Sequence, residues 1–188
     1  SLLAAENYRE CKQGLLTLKD NETILNGGNN NRIWILQVGS WDIDGVTFAN
    51  AKRSSDKSDT GSALVIEAKS GSFKVTNSKF KDNVNETTGG GAVRISGGTV
   101  NMINCEFSGN KAENTGTSKG QGGAIFVGAT GTLKAEKCLF TSNAAKAAMG
   151  AIHVAGELEM RDCSFIDNNQ SSVALSGKGK AYIDNCYF

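Results

Sequence analysis

Apolar and polar residues alternate over short stretches of this chain, slip out of step at a polar pair, resume, and end at a phenylalanine followed three residues later by asparagine. With the two-residue period of a β-strand, "GGAIFVGATGTLKAEKCLFTSN" (122–143) turns Ile125 and Val127 inward on one short strand. It turns Leu133 and Ala135 inward on a second, and Cys138 and Phe140 on a third. The same order of events recurs, as internal repeats of a solenoid do. The endings are FKDN (80–83), FSGN (107–110), FTSN (140–143) and FIDN (165–168), with FANA (48–51) as an imperfect member and Phe188 where another would begin. The openings are GSAL (61–64), GGAV (90–93), GGAI (122–125), MGAI (149–152) and the weaker SSVA (171–174).

Aligned in this way, the first strand buries Leu64 and Ile66, Val93 and Ile95, Ile125 and Val127, Ile152 and Val154, Val173 and Leu175. The second buries Trp41 and Ile43, Phe73 and Val75, Val100 and Met102, Leu133 and Ala135, Leu158 and Met160, Ala181 and Ile183. The corner that follows carries Asn77, Asn104, Lys137, Asp162 and Asn185, and asparagine tolerates the left-handed backbone a tight corner needs. Behind it stand Val46, Ser78, Cys105, Cys138, Cys163 and Cys186. Short strands whose faces repeat coil after coil predict an all-β fold, a right-handed parallel β-helix of about six to seven coils. The polar segments after each ending, including 51–60 and 111–121, read as loops of variable length. A leucine-rich solenoid would need a Leu-x-x-Leu-x-Leu unit, and a β-sandwich would not place phenylalanines and cysteines in register.

Residues 1–188 form one domain, with 1–30 as an N-terminal cap and first coil and 31–188 as the repeated coils. Leu2, Leu3, Ala5, Tyr8 and Cys11 are spaced for a short capping helix, a device that covers open strand edges. The abrupt start at Ser1 and stop at Phe188 lead us to expect a fragment of a longer chain.

Composition agrees with that reading. The chain has 23 glycines and no proline, as suits central strands whose backbone N–H groups all enter ladders. Lysine plus arginine number 20 against 19 aspartates plus glutamates, so no bulk field draws in nucleic acid or anionic lipid. No apolar run is long enough to span a bilayer, so this fragment is not expected to insert into a membrane. The sequence does not address oligomeric state.

Candidate chemistry is sparse. The spacing of Cys105, Cys138, Cys163 and Cys186 is far from the close pairs of zinc sites, and in-register strands hold Cβ atoms too far apart for easy disulfides. The main reading is a column of free core thiols, with disulfide or metal as alternatives. The outward row of the first strand, Val65, Arg94, Phe126 and His153, is a candidate partner-binding strip, weighed against an ordinary solvated face, and any binding is expected on the outward strips and the long loops 51–60 and 111–121. His153 is the only histidine and has no positioned nucleophile, so no catalytic residue, cofactor site or metal site is assigned and no enzyme is expected. Along the second strand, acids and bases alternate outward, and Asp42 with Asp44 forms the one carboxylate pair on a single coil. Glycosylation-type sequons occur at Asn21, Asn85 and Asn169.

With GGAV and GGAI openings in step with four Phe-x-x-Asn endings over residues 61–188, the chain resembles the polymorphic outer-membrane protein repeat family of chlamydiae and other bacteria. The resemblance implies the passenger region of an autotransporter-like protein exposed at the bacterial surface, acting in adhesion toward a host-cell protein or glycan. It brings no catalytic residues with it. GSAL, MGAI, SSVA and FANA depart from the family tetrapeptides, and no membrane barrel is present in the sequence. A carbohydrate-active β-helix, lyase or glycosidase, with its catalytic coils elsewhere, is the alternative.

Overall fold

The computed structural model describes residues 3–4, 9–11, 19–37, 39–54, 63–67, 71–114, 120–147 and 149–188. Its regular elements are β-strands, each paired in parallel with its counterpart one coil away. The first face is a 7-stranded sheet that runs from Arg9–Cys11 through Trp34–Leu36, Leu64–Ile66, Val93–Ile95, Ile125–Val127 and Ile152–Val154 to Val173–Leu175. The second face stacks Ser72–Thr76, Gly98–Ile103, Gly131–Glu136, Glu157–Arg161 and Lys180–Asp184. The third stacks Lys79–Lys81, Glu106–Ser108, Leu139–Thr141 and Ser164–Ile166. Trp41–Ala49 runs unbroken through the corner and pairs with both faces, so they form one 12-stranded sheet. The architecture is the expected right-handed parallel β-helix.

A fourth face was not expected. Lys52–Arg53, Val84–Asn85, Lys111–Ala112 and Ala144–Ala145 form a 4-stranded sheet, where the sequence reads as loop. Two residues are too few to show a period, so pattern reasoning passes over them. The loop reading of 55–60 and 115–119 lies outside the described residues.

The N-terminal helix is corrected as far as the structure describes it. Leu3–Ala4 is extended and pairs with Leu25 and Asn26, and Arg9–Cys11 pairs with Trp34–Leu36. A parallel edge offers these residues a full row of backbone partners, which a helix packed on that edge would leave open. The remainder of the expected helix lies outside the described residues.

The core is the interior of the rod. Phe48, Phe80, Phe107 and Phe140 are each 0% exposed, and successive rings stack at centroid separations of 4.8, 4.7 and 4.8 Å with interplanar angles of 5° or less. Each such contact contributes about 0.5–1.5 kcal/mol beyond the area it buries. Phe165 and Phe188 continue the column, and Trp34 meets Phe48 edge-on. Inward residues of the last rung are more open, with Leu175 at 54% and Phe188 at 58% exposure.

The asparagine of Phe-x-x-Asn faces inward. Asn110 Nδ2 donates to Asn143 Oδ1 (2.9 Å) and to the Phe80 carbonyl (2.9 Å). Its own Oδ1 accepts from the Asn83 backbone N–H and from Asn83 Nδ2. Asn83 and Asn143 repeat the pattern, and Asn168 Oδ1 receives Asn143 in turn. At FANA the ladder ends on a backbone group: the Ala51 N–H donates to Asn83 Oδ1 at 2.9 Å. A buried amide is tolerated when its donors and acceptor are filled.

The Gly-Gly-Ala opening has an equally local cause. Gly122 takes φ of 66°, which favours glycine. A Cβ on Gly123 would stand 2.6 Å from the Ala144 backbone nitrogen. The fourth-face strand therefore packs backbone to backbone against the opening of the coil, and Ala124 beside it is fully buried.

Candidate functional site

Arg94, Phe126 and His153 occupy the centres of three adjacent first-face strands, paired Arg94 to Phe126 and Phe126 to His153. Parallel pairing at strand spacing turns a sequence row into a file of stacked planes. The Arg94 guanidinium lies 4.5 Å from the Phe126 centroid. The His153 ring lies 5.3 Å from it on an 8° interplanar angle. Arg94 Nε donates to Ser96 Oγ at 3.1 Å, and His153 Nε2 shares a 2.7 Å hydrogen bond with Ser176 Oγ of the next coil.

The row is therefore not an open strip along its length. Ile35 and Val65 on the same file are buried, His153 is 1% exposed, and Arg94 and Phe126 are half-buried. Gly89, fixed in a loop whose carbonyls at Gly89 and Gly90 accept from Asn85 Nδ2, lies flat against Phe126. A Cβ there would come within 2.5 Å of the ring. Strand phase distinguishes the outer face from the core, but says nothing of a loop folding over that face. Burial pushes the His153 imidazole below its ordinary value near 6.5 and lowers Arg94 from 12.5, with Glu67 opposing the latter. Ser176 and Gly89 belong to polar turns, and no motif in the sequence marks them as partners of this file.

The other candidates take their places around it. Asp44 accepts from Thr76 Oγ1 (2.6 Å) and Asn77 Nδ2 (2.7 Å) of the next coil, and Asp42 pairs in register with Lys74. On the outer second face Lys134 meets Glu159 at 2.8 Å and Arg161 meets Asp184 at 3.3 Å, each bridging adjacent coils. These residues, with Asn101 and Tyr182, line a groove of about 520 Å³.

A family model for the right-handed β-helix region matches residues 16–188. The chain belongs to the right-handed β-helix family. No curated protein and no solved structure matches it.

Within this β-helix the cysteine column is a file of free thiols. Cys105, Cys138 and Cys163 are at most 2% exposed, and each thiol donates to the carbonyl two residues earlier and to one on the preceding coil. The neighbouring Cys105 thiol and burial push Cys138 up to about 12. Cys163 is raised by hydrogen bonding with the Cys138 thiol and by burial. A thiol held protonated in this way is a poor nucleophile. The sequon at Asn85 is closed to modification, because the side chain is 0% exposed and its Oδ1 accepts from the Thr87 backbone N–H (2.9 Å) and hydroxyl (2.6 Å). Asn169 is exposed, and the side chain of Asn21 lies outside the described residues.

Proposed function

We propose that this β-helix is a non-catalytic, surface-exposed part of a bacterial exported protein, acting as an adhesin or rigid passenger stalk. The observation that carries the reading is the division of labour between inside and outside. Stacked phenylalanines and a satisfied amide ladder rigidify the interior, while outer charges such as Lys134–Glu159 and Arg161–Asp184 pair between coils. Such a rod can hold loops and faces at a fixed distance from their base. The repeat of GGA(I/L/V) and Phe-x-x-Asn supports the resemblance to the polymorphic outer-membrane protein repeats, and through it a place at the bacterial cell surface.

The partner surface is the outward row of the first face, where Arg94 and the edge of Phe126 are half-buried, and its partner is a host-cell protein or glycan. Saturable binding of the purified protein to host cells or to an arrayed glycan is the expected result. Incubation with acidic and neutral polysaccharides, with and without calcium, should yield no product. Turnover abolished by Asp42→Asn or Asp44→Asn would overturn the proposal in favour of a carbohydrate-active enzyme.

A further inference from the structure

We infer that the file Arg94–Phe126–His153–Ser176 is a proton-sensitive clasp that fastens the rung Val173–Leu175 to the rod. Four consecutive first-face strands and the turn after the last are joined by one guanidinium, one phenyl ring, one imidazole and one hydroxyl. Both faces of Phe126 are occupied, by Arg94 on one side and His153 on the other, so the ring fills a stack and offers a ligand only its edge.

His153 is the member that can change charge near neutral pH. Its Nε2 is engaged by Ser176, while Nδ1 is buried with no hydrogen-bond partner among the described residues. The imidazolium carries a proton on each nitrogen, and the one on Nδ1 meets no acceptor among the described residues. Among the described residues the imidazole meets the Phe126 ring, the Ala174 strand and Ser176, all uncharged. The nearest charge along the file is the Arg94 cation beyond Phe126, with Glu67 acting on that arginine. Among the described residues no carboxylate pairs with His153 to stabilise an imidazolium.

The folded state therefore favours the neutral ring. Stability from the clasp is complete above the ordinary histidine value and is lost as pH falls below it toward the lower value of the folded state.

The single histidine makes the test direct, because one imidazole resonance reports on one residue. NMR titration of the intact chain should give a midpoint below 6.5. Amide exchange at 173–175, corrected for intrinsic rate, should rise several-fold as pH falls from the ordinary histidine value to that midpoint and level off below it, with 93–95 unchanged. His153→Phe, which keeps an aromatic plane on Phe126, should remove the rise. A midpoint at or above 6.5, or exchange at 173–175 that follows pH equally in wild type and His153→Phe, would overturn the clasp. The titration stands even where the variant fails to fold.

Discussion

Every full coil turns two similar corners, and the two treat asparagine in opposite ways. At the corner between the second and third faces the asparagine is the left-handed residue itself: Asn77 and Asn104 have φ of 50° and 54° and are exposed. At the corner after the third face Asp82, Gly109 and Ser142 take the left-handed conformation, at 53°, 65° and 54°. The asparagine that follows each of them turns inward and is 0% exposed. Both corners build amide ladders, yet only the outer one contains a break. Lys137 stands there at φ of 53° between Asn104 and Asp162, and the rod continues past it. A missing amide facing water is replaced by water, whereas a missing amide in the core leaves several groups with nothing.

The largest effect should come from the column beside the inner ladder. Phe107→Ala removes a ring stacked on both faces and is expected to cost about 3–5 kcal/mol, read by denaturant unfolding. Asn110→Ala should follow at about 3 kcal/mol or more, because it strips acceptors from the Asn83 backbone and side chain and a donor from the Phe80 carbonyl. Asn104→Ala, at the outer corner, should cost no more than about 1 kcal/mol, mostly for placing alanine in the left-handed region. If Asn104→Ala and Asn110→Ala prove equal, burial is not what separates the two ladders. The smallest effect has the opposite sign. Lys137→Asn relieves a side chain poorly suited to its backbone and can extend the outer ladder, raising stability by about 0.5–1 kcal/mol. A thermal melt that shifts downward would contradict this.

Much of the fold was legible because a solenoid is nearly one-dimensional: each coil packs only on its neighbours, so aligning the sequence on itself aligns it in space. The inward pairs from Leu64 and Ile66 to Ile152 and Val154 occupy the core as read, and the file of Val65, Arg94, Phe126 and His153 is the paired register. The candidate strip was legible as a row but not as an environment. Its covering loop is held by Asn85, a residue whose sequence context reads as a sequon.

The sequence by itself determined the coil register, the residues of each column, and the faces on which charges would alternate, because strand periodicity and in-register repetition are local properties. Tertiary structure alone decided that the asparagine of Phe-x-x-Asn points inward. One left-handed residue between phenylalanine and asparagine shifts the alternation by a position, and no two-residue period can report that shift. It also decided that two-residue strands after the first four endings build a fourth face, and that His153 is buried and bonded to Ser176 of the next coil. Those outcomes depend on contacts between segments a whole coil apart, which no window along the chain contains.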